Sequence, residues 1–150
     1  MKHLIILFSL LVVSLPTSAL VQEEDSIPST SPTTQTENSA NNLVILWTSD
    51  DPMVAERVAL MYTHAAKRNK WFEKVTLIIW GPSAKLAAEN ILVQEKIANL
   101  KTDGVIIEAC SACSDAYGVT NILKQLGYNP HPMGEPLTKY IKAGNKILTF

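Results

Sequence analysis

Three apolar runs of strand length, each followed by a segment patterned as a helix, restrict this chain to a layered α/β fold. The runs at 43–47 (LVILW), 75–80 (VTLIIW) and 105–109 (VIIEA) lack the polar alternation of a half-solvated sheet. Strands buried on both faces, as in the centre of a parallel sheet, have this character. Between the first two, Asp51 is a candidate N-cap, Pro52 suits the first helical position, and Val54, Val58, Met61 and Ala65 recur at helical spacing. Lys67, Arg68 and Lys70 then fall where the helix dipole favours cations. A second helix is expected from Ser83, its N-cap, to about Gly104, with Leu86, Val93, Ile97 and Leu100 on one stripe. A third carries Val119, Ile122, Leu123 and Leu126 inward and stops at Gly127. The proline-interrupted piece 129–133 (NPHPM) reads as an edge strand or a loop. A short helix over 136–142 and a last strand over 146–150 (KILTF) complete the pattern. This rhythm specifies a mostly parallel sheet with right-handed crossovers between helical layers.

Ligands of such sheets bind outside the carboxyl ends of the strands. The segments just past the first three strands, 48–51, 81–83 and 110–113, are therefore expected to open onto one edge. The third holds both cysteines of the chain, Cys110 and Cys113, at the start of a predicted helix. A thiol there faces unpaired backbone N–H groups and the positive end of the dipole, which favour thiolate. Thiolate is the form that attacks sulfur and disulfides and binds soft metals. Cys110 is accordingly the foremost candidate for chemistry, with Cys113 as its partner. The site would be walled by Trp47, Thr48, Ser49, Trp80 and Gly81, with Tyr117 from the following helix. Core packing under the loops is the plainer role for the two tryptophans. Turn formation and helix capping are the plainer roles for Thr48, Ser49 and Asp50. Asp115 would oppose a nearby thiolate and reads as a helix residue rather than a catalytic acid.

The first nineteen residues, with Lys2 and His3 before an apolar run at 4–15 and small residues at 17–19, read as a secretory signal peptide. The run is short of the about 20 residues that span a bilayer. The stretch 20–42 is rich in Ser, Thr, Glu, Gln, Asn and Pro and reads as a flexible polar linker. One domain, 43–150, follows, and the protein is expected to be secreted or periplasmic, with no membrane association after signal cleavage. Net charge is −1 with scattered cations, so a phosphate-tracking surface for nucleic acid is not expected. A disulfide between residues three apart removes little chain entropy, which favours a reactive pair over a structural staple.

From Asn42 to Phe150 the chain resembles the DsrE/DsrF-like family of small α/β proteins, which includes sulfur-relay subunits. The carrying residues are Cys110 at the end of the third strand, Cys113, the Tyr117-Gly118 pair and Val119, together with LVILWTSDDP, LIIWGPSAKL, MGEPLTKYIKAG and KILTF. The resemblance implies a three-layer α/β/α sandwich around a five-stranded, mostly parallel sheet, and homo-oligomers such as trimers or hexamers. It also implies that Cys110 carries sulfane sulfur as a persulfide passed between donor and acceptor proteins, without a cofactor. Cys113 would be a resolving thiol, and conventional turnover is not expected.

Two other readings use the same residues. A Cys-x-x-Cys entering a helix also serves thiol–disulfide exchange, although the pair follows the third strand and lacks the Gly-Pro filling of thioredoxin-like motifs. Soft-metal binding by Cys110 and Cys113, helped by His131 and Met133, would suit Cu(I), but a single Cys-x-x-Cys is a weak metal signal. His64 reads as a helix residue. No carboxylate pair, Ser-His-Asp arrangement or phosphate loop is recognisable, which leaves hydrolase and nucleotide-binding readings without support.

Overall fold

The computed structural model describes residues 39–150. The expected signal peptide, 1–19, lies outside the described residues, and of the expected linker only 39–42 falls within them. After a short 3-10 turn, Ser39–Asn41, the strands are β1 (Asn42–Trp47), β2 (Lys74–Ile79), β3 (Ile106–Ala109) and β4 (Lys146–Thr149). They form one sheet of order β3-β2-β1-β4, parallel throughout. The helices are α1 (Pro52–Val54), α2 (Leu60–Arg68), α3 (Ser83–Glu89), α4 (Ile91–Thr102), α5 (Ser111–Ala116), α6 (Thr120–Gln125) and α7 (Gly134–Lys142). A π-helical stretch, Ala55–Ala59, joins α1 to α2. Among the described residues no helix is long and apolar enough to cross a membrane.

Register and alternation together explain why the strands read as continuous apolar runs. Leu43, Ile45 and Trp47 pair with Val75, Leu77 and Ile79, and all six point into the main core beneath α2, α3, α4 and α6. The intervening residues Val44 and Ile78 point to the other face. There they share a second cluster with Cys110 and Met133, covered by Leu137 and Tyr140 of α7. Both faces are buried, unequally: several helices cover one and α7 covers the other.

The sheet has four strands rather than five. The place beside β3 is held by a single parallel bridge between Cys110 and His131. The His131 N–H donates to the Ala109 carbonyl at 3.1 Å, and the Ser111 N–H donates to the His131 carbonyl at 3.0 Å. Asn129 lies at φ 46°, outside the extended region, and Met133 at φ −94°, ψ −7° already leads into α7. Between them only His131 bridges to the end of β3. The backbone groups of Pro130 and Pro132 face away from β3, where a missing N–H costs no ladder bond and leaves nothing to pair with.

Other departures from the sequence pattern are local. Asp51 does cap α1, accepting from Met53 N at 2.7 Å. The inward stripe of the 52–68 helix, however, is Ala55, Ala59, Leu60, Thr63 and Ala66, while Val58 and Met61 are exposed. The π turn adds a residue to one turn and rotates the stripe away from a regular 3.6-residue period. Small residues then meet the sheet, in the same cluster as the fully buried Trp47. The expected second helix is two, broken at Asn90, which is extended (φ −103°, ψ 111°) and caps α4 by accepting from Val93 N at 3.1 Å. The expected third helix is likewise divided into α5 and α6, with Gly118 at φ 69° between them.

Ser83 is not an N-cap. Its buried hydroxyl donates to the Trp47 carbonyl at 2.7 Å and accepts from the Trp80 N–H at 3.0 Å, joining the ends of β1 and β2. Replacing Ser83 with Ala leaves the Trp47 carbonyl and the Trp80 N–H bonded only to each other, at 3.0 Å. A loss of about 0.5–1.5 kcal/mol is expected, measurable as a lower urea midpoint at unchanged slope.

Candidate functional site

β3 ends at Ala109 level with Ile79 of β2, which is level with Trp47 of β1. The chain therefore leaves all three strands at one edge, as the strand-end rule requires. Cys110 is the N-cap residue of α5, extended at φ −79°, ψ 117°, and Cys113 follows one turn on. Both thiols are free. Cys110 is only 4% exposed, packed with Val44, Ile78 and Met133, and Cys113 is half-buried where the two apolar clusters meet. The more accessible sulfur of the pair is thus that of Cys113, and Cys110 lies beneath the bridge from His131 and the Met133 side chain.

The two thiols interact directly. Burial pushes the Cys113 thiol above the ordinary cysteine range, its hydrogen bond with Cys110 and the adjacent sulfur charge push it further, and the Gly81 backbone N–H opposes the rise. Gly81 reaches that position at φ 66°, a conformation natural to glycine, in the turn between β2 and α3. The first turn of a helix leaves N–H groups without intrahelical partners. At α5 the first of them, on Ser111, is taken by the His131 carbonyl.

The expected wall is assembled only in part. Gly81 contacts Cys113, and Trp80 packs against the cluster that holds Cys110. Trp47 is fully buried in the main core on the opposite face of the sheet, so packing is its role. Thr48 uses its hydroxyl to bond the Phe150 carbonyl at 2.8 Å, tying down the chain after β4, and the Ser49 hydroxyl accepts from the Asp51 N–H at 3.1 Å. Tyr117 is 42% exposed at the end of α5. Asp115 accepts from the Thr120 hydroxyl, which also bonds the Ser114 hydroxyl at 2.8 Å. These groups clamp α5 to α6 and hold the cysteine-bearing turn in place. His64 pairs with Asp103 at 2.8 Å, ahead of β3, whereas the thiols follow it. His131 turns its Nδ1 to the Asn129 carbonyl at 3.0 Å, and among the described residues no three His, Cys, Asp or Glu side chains converge on a metal position.

A polar strip on the α7 face of the sheet was not singled out from the sequence. The Tyr140 hydroxyl donates to Glu108 Oε1 at 3.2 Å, and Glu108 Oε2 is buried with no partner. Burial raises the Tyr140 pKa first and the neighbouring Glu108 charge raises it next, with a hydrogen bond to Thr76 lowering it. The signal was present as polar interruptions in buried strands: Thr76 in VTLIIW and Glu108 in VIIEA.

Removing Cys110 takes away two of the causes that raise the Cys113 pKa while burial remains. Iodoacetamide labelling of Cys113 in Cys110→Ala is expected to reach its half-maximal rate at a lower pH than in the wild type. Met133→Ala is expected to quicken labelling of Cys110 at fixed pH, because it removes a fully buried neighbour, at a stability loss of about 2–5 kcal/mol. Unchanged labelling in both variants would mean that neither contact governs the thiols.

No family model matches the chain, and neither does any curated protein. Two solved structures are similar to it. One is a conserved protein of unknown function, BT1422 from Bacteroides thetaiotaomicron, with a TM-score of 0.72 and 37% sequence identity over 76% of this chain and 98% of that one. The other is the ychN protein from E. coli, with a TM-score of 0.53 and 16% identity over 73% of this chain and 98% of that one, a likeness of fold alone. The identity to BT1422 extends over nearly all of that protein, and the chain belongs to the same family as BT1422.

Proposed function

We propose that the protein is an exported sulfur carrier of the DsrE-like relay type, holding sulfane sulfur as a persulfide on Cys110 with Cys113 as resolving thiol. The observation that carries this reading is the contact between two free thiols at the carboxyl edge of a parallel sheet, beside the Gly81 N–H. The motif residues of the sequence and the fold shared with the ychN protein support it. Such reversible caps form on low-pKa, accessible thiols, so loading requires the cover over Cys110 to open. In the loading step the Cys110 thiolate attacks the outer sulfur of a donor persulfide. A new S–S bond forms on Cys110, the donor's S–S bond breaks, and the donor leaves as thiolate. In the unloading step an acceptor thiolate takes that outer sulfur and returns Cys110 as thiolate. Alternatively, Cys113 attacks Cys110, expels hydrosulfide and leaves a Cys110–Cys113 disulfide, which a two-electron thiol reductant then opens.

The apolar cover over Cys110 suits this task, since a buried persulfide is kept from water and from further oxidation. The partners in this reading are sulfur donor and acceptor proteins and further copies of the chain, in the trimers or hexamers that the family resemblance implies. The same thiol contact supports a second reading, in which the pair cycles between dithiol and disulfide without carrying sulfur.

Intact-mass measurement after exposure to polysulfide separates the two. The wild type is expected to gain the mass of one sulfur atom, Cys110→Ser to gain none, and Cys113→Ser to gain it and retain it longer. Loss of two hydrogens with no added sulfur would replace carriage with the disulfide reading. Uptake by Cys110→Ser equal to that of the wild type would remove Cys110 from the role.

A further inference from the structure

Cys110 is covered by a segment that the sheet holds lightly. Residues 129–133 run from the turn after α6 to the start of α7, across the carboxyl end of β3. Both ends of this strap are firm. Tyr128 is buried in the main core and its N–H donates to the Leu123 carbonyl at 3.0 Å, while the Met133 carbonyl accepts from the Leu137 N–H at 3.0 Å in the first turn of α7. Between the ends, two backbone hydrogen bonds fasten the strap to the chain after β3: the His131 N–H to the Ala109 carbonyl and the Ser111 N–H to the His131 carbonyl. Proline has no N–H, so Pro130 and Pro132 leave His131 as the sole backbone donor of the middle of the strap. The His131 ring turns back to the Asn129 carbonyl at 3.0 Å and adds no bond to the sheet.

One side chain of the strap is fully buried, that of Met133, and it belongs to the same apolar cluster as Cys110. Asn129 and Pro132 are exposed, and Pro130 and His131 half-buried. Segments with few buried contacts and few backbone bonds open at much lower free energy than core strands do. The points about which this one turns are also present. Asn129 lies in the left-handed region at φ 46°, and Gly134 opens α7 with no atom within 4 Å of the place a Cβ would take. Hinges are commonly a few positions of this kind at the ends of elements. The prolines fix their own φ, so the piece between the hinges moves as a unit. α7 has no fully buried residue, and its first turn can follow.

We propose that residues 129–133 are a gate over Cys110, latched by the two His131 bonds and plugged by Met133, which swings about Asn129 and Gly134. Its purpose rests on the carrier reading: a sulfur donor or acceptor reaches Cys110 only through the open gate, and between encounters the closed gate shields the loaded sulfur. Cys113 is half-buried with the gate closed, so its access does not depend on this motion.

Two measurements on the reduced protein test the gate without any sulfur donor. In the wild type, hydrogen exchange at the His131 and Ser111 amides and iodoacetamide labelling of Cys110, each taken relative to the denatured chain, are expected to report the same opening equilibrium within about threefold, with the Ile45 and Ile78 amides of the central strands exchanging far more slowly. Exchange of all four amides at one rate, or labelling of Cys110 much faster than His131 and Ser111 exchange, would overturn the proposal. The second measurement uses Ser111→Pro. Ser111 is the first residue of α5, where proline is well accepted, and Cys110 before it is already extended at φ −79°, ψ 117° as a residue preceding proline must be. The change removes one latch bond and is expected to quicken Cys110 labelling about two- to tenfold, the worth of one hydrogen bond, with the Cys113 rate unchanged. An unchanged Cys110 rate, or both thiols quickened alike, would overturn the gate. Quickened labelling of Cys110 alone, in a protein that takes up no sulfur from polysulfide, would sustain the gate and reject the carrier reading.

Discussion

The flush parallel register that aligns Trp47, Ile79 and Ala109 is the constraint on which the thiol site depends. Because the strands end together, three loops leave the sheet at one level, and the first residues of each meet the others without any long-range reach. The Ser83 hydroxyl fixes this ending by bridging the Trp47 carbonyl and the Trp80 N–H. The Trp80 N–H also donates to the Trp47 carbonyl at 3.0 Å, so the two strand ends are joined through backbone and side chain together. Gly81 follows at once, and its backbone reaches Cys113 because the chain turns there at positive φ. The position of the thiols is therefore a consequence of strand pairing several residues away, expressed through a handful of short, directional bonds.

What was legible in the sequence was whatever local chemistry decides. β1 and β2 could be placed because buried parallel strands are apolar on both faces, and Asp51-Pro52 announced a helix start that the structure retains. The Cys110 and Cys113 pair falls where a strand meets a helix, as the pattern requires. What was not legible depends on tertiary context. No local signal reveals that the 52–68 helix takes a π turn, so the inward stripe passed from Val58 and Met61 to Ala59 and Thr63. The fifth strand is reduced to a bridge at His131, between the left-handed Asn129 and Met133 at the start of α7. Trp47 ends a strand, which made it a candidate for the site wall, with core packing the plainer role that the structure gives it. Its parity along β1 sends it to the other face, and parity could have been counted from Cys110 backward only once the register was known.

The same alternation gives the sheet two unlike faces. The one beneath α2, α3, α4 and α6 is wholly apolar among its central residues, and it supplies most of the core. The α7 face carries Asn42, Thr76 and Glu108 among its strand residues, each a polar group that an all-apolar face would have excluded. Retaining them costs stability unless each finds a partner. Tyr140 meets part of that need for Glu108 and Thr76, reaching both from α7. The helix thus does two jobs with one turn of side chains: Leu137 and Tyr140 close the apolar cluster around Cys110, and Tyr140 organises the polar strip further down the strands.

The burial of Cys110 and the raised pKa of Cys113 share their chief cause, the apolar setting at the carboxyl edge, and both restrain the pair. Burial keeps attackers from Cys110, while protonation keeps Cys113 from attacking it at neutral pH. A group whose pKa is raised on folding stabilises the fold below its unfolded pKa, and that contribution fades as pH rises through the folded value. For Cys113 the native state thus favours the thiol form, and alkaline conditions both release the nucleophile and loosen its surroundings. The Gly81 N–H counters the rise and is the only one of the four influences on Cys113 that stabilises its thiolate. A donor or acceptor that displaced the Cys110–Cys113 hydrogen bond would leave the Gly81 contact as the chief polar influence on the thiol.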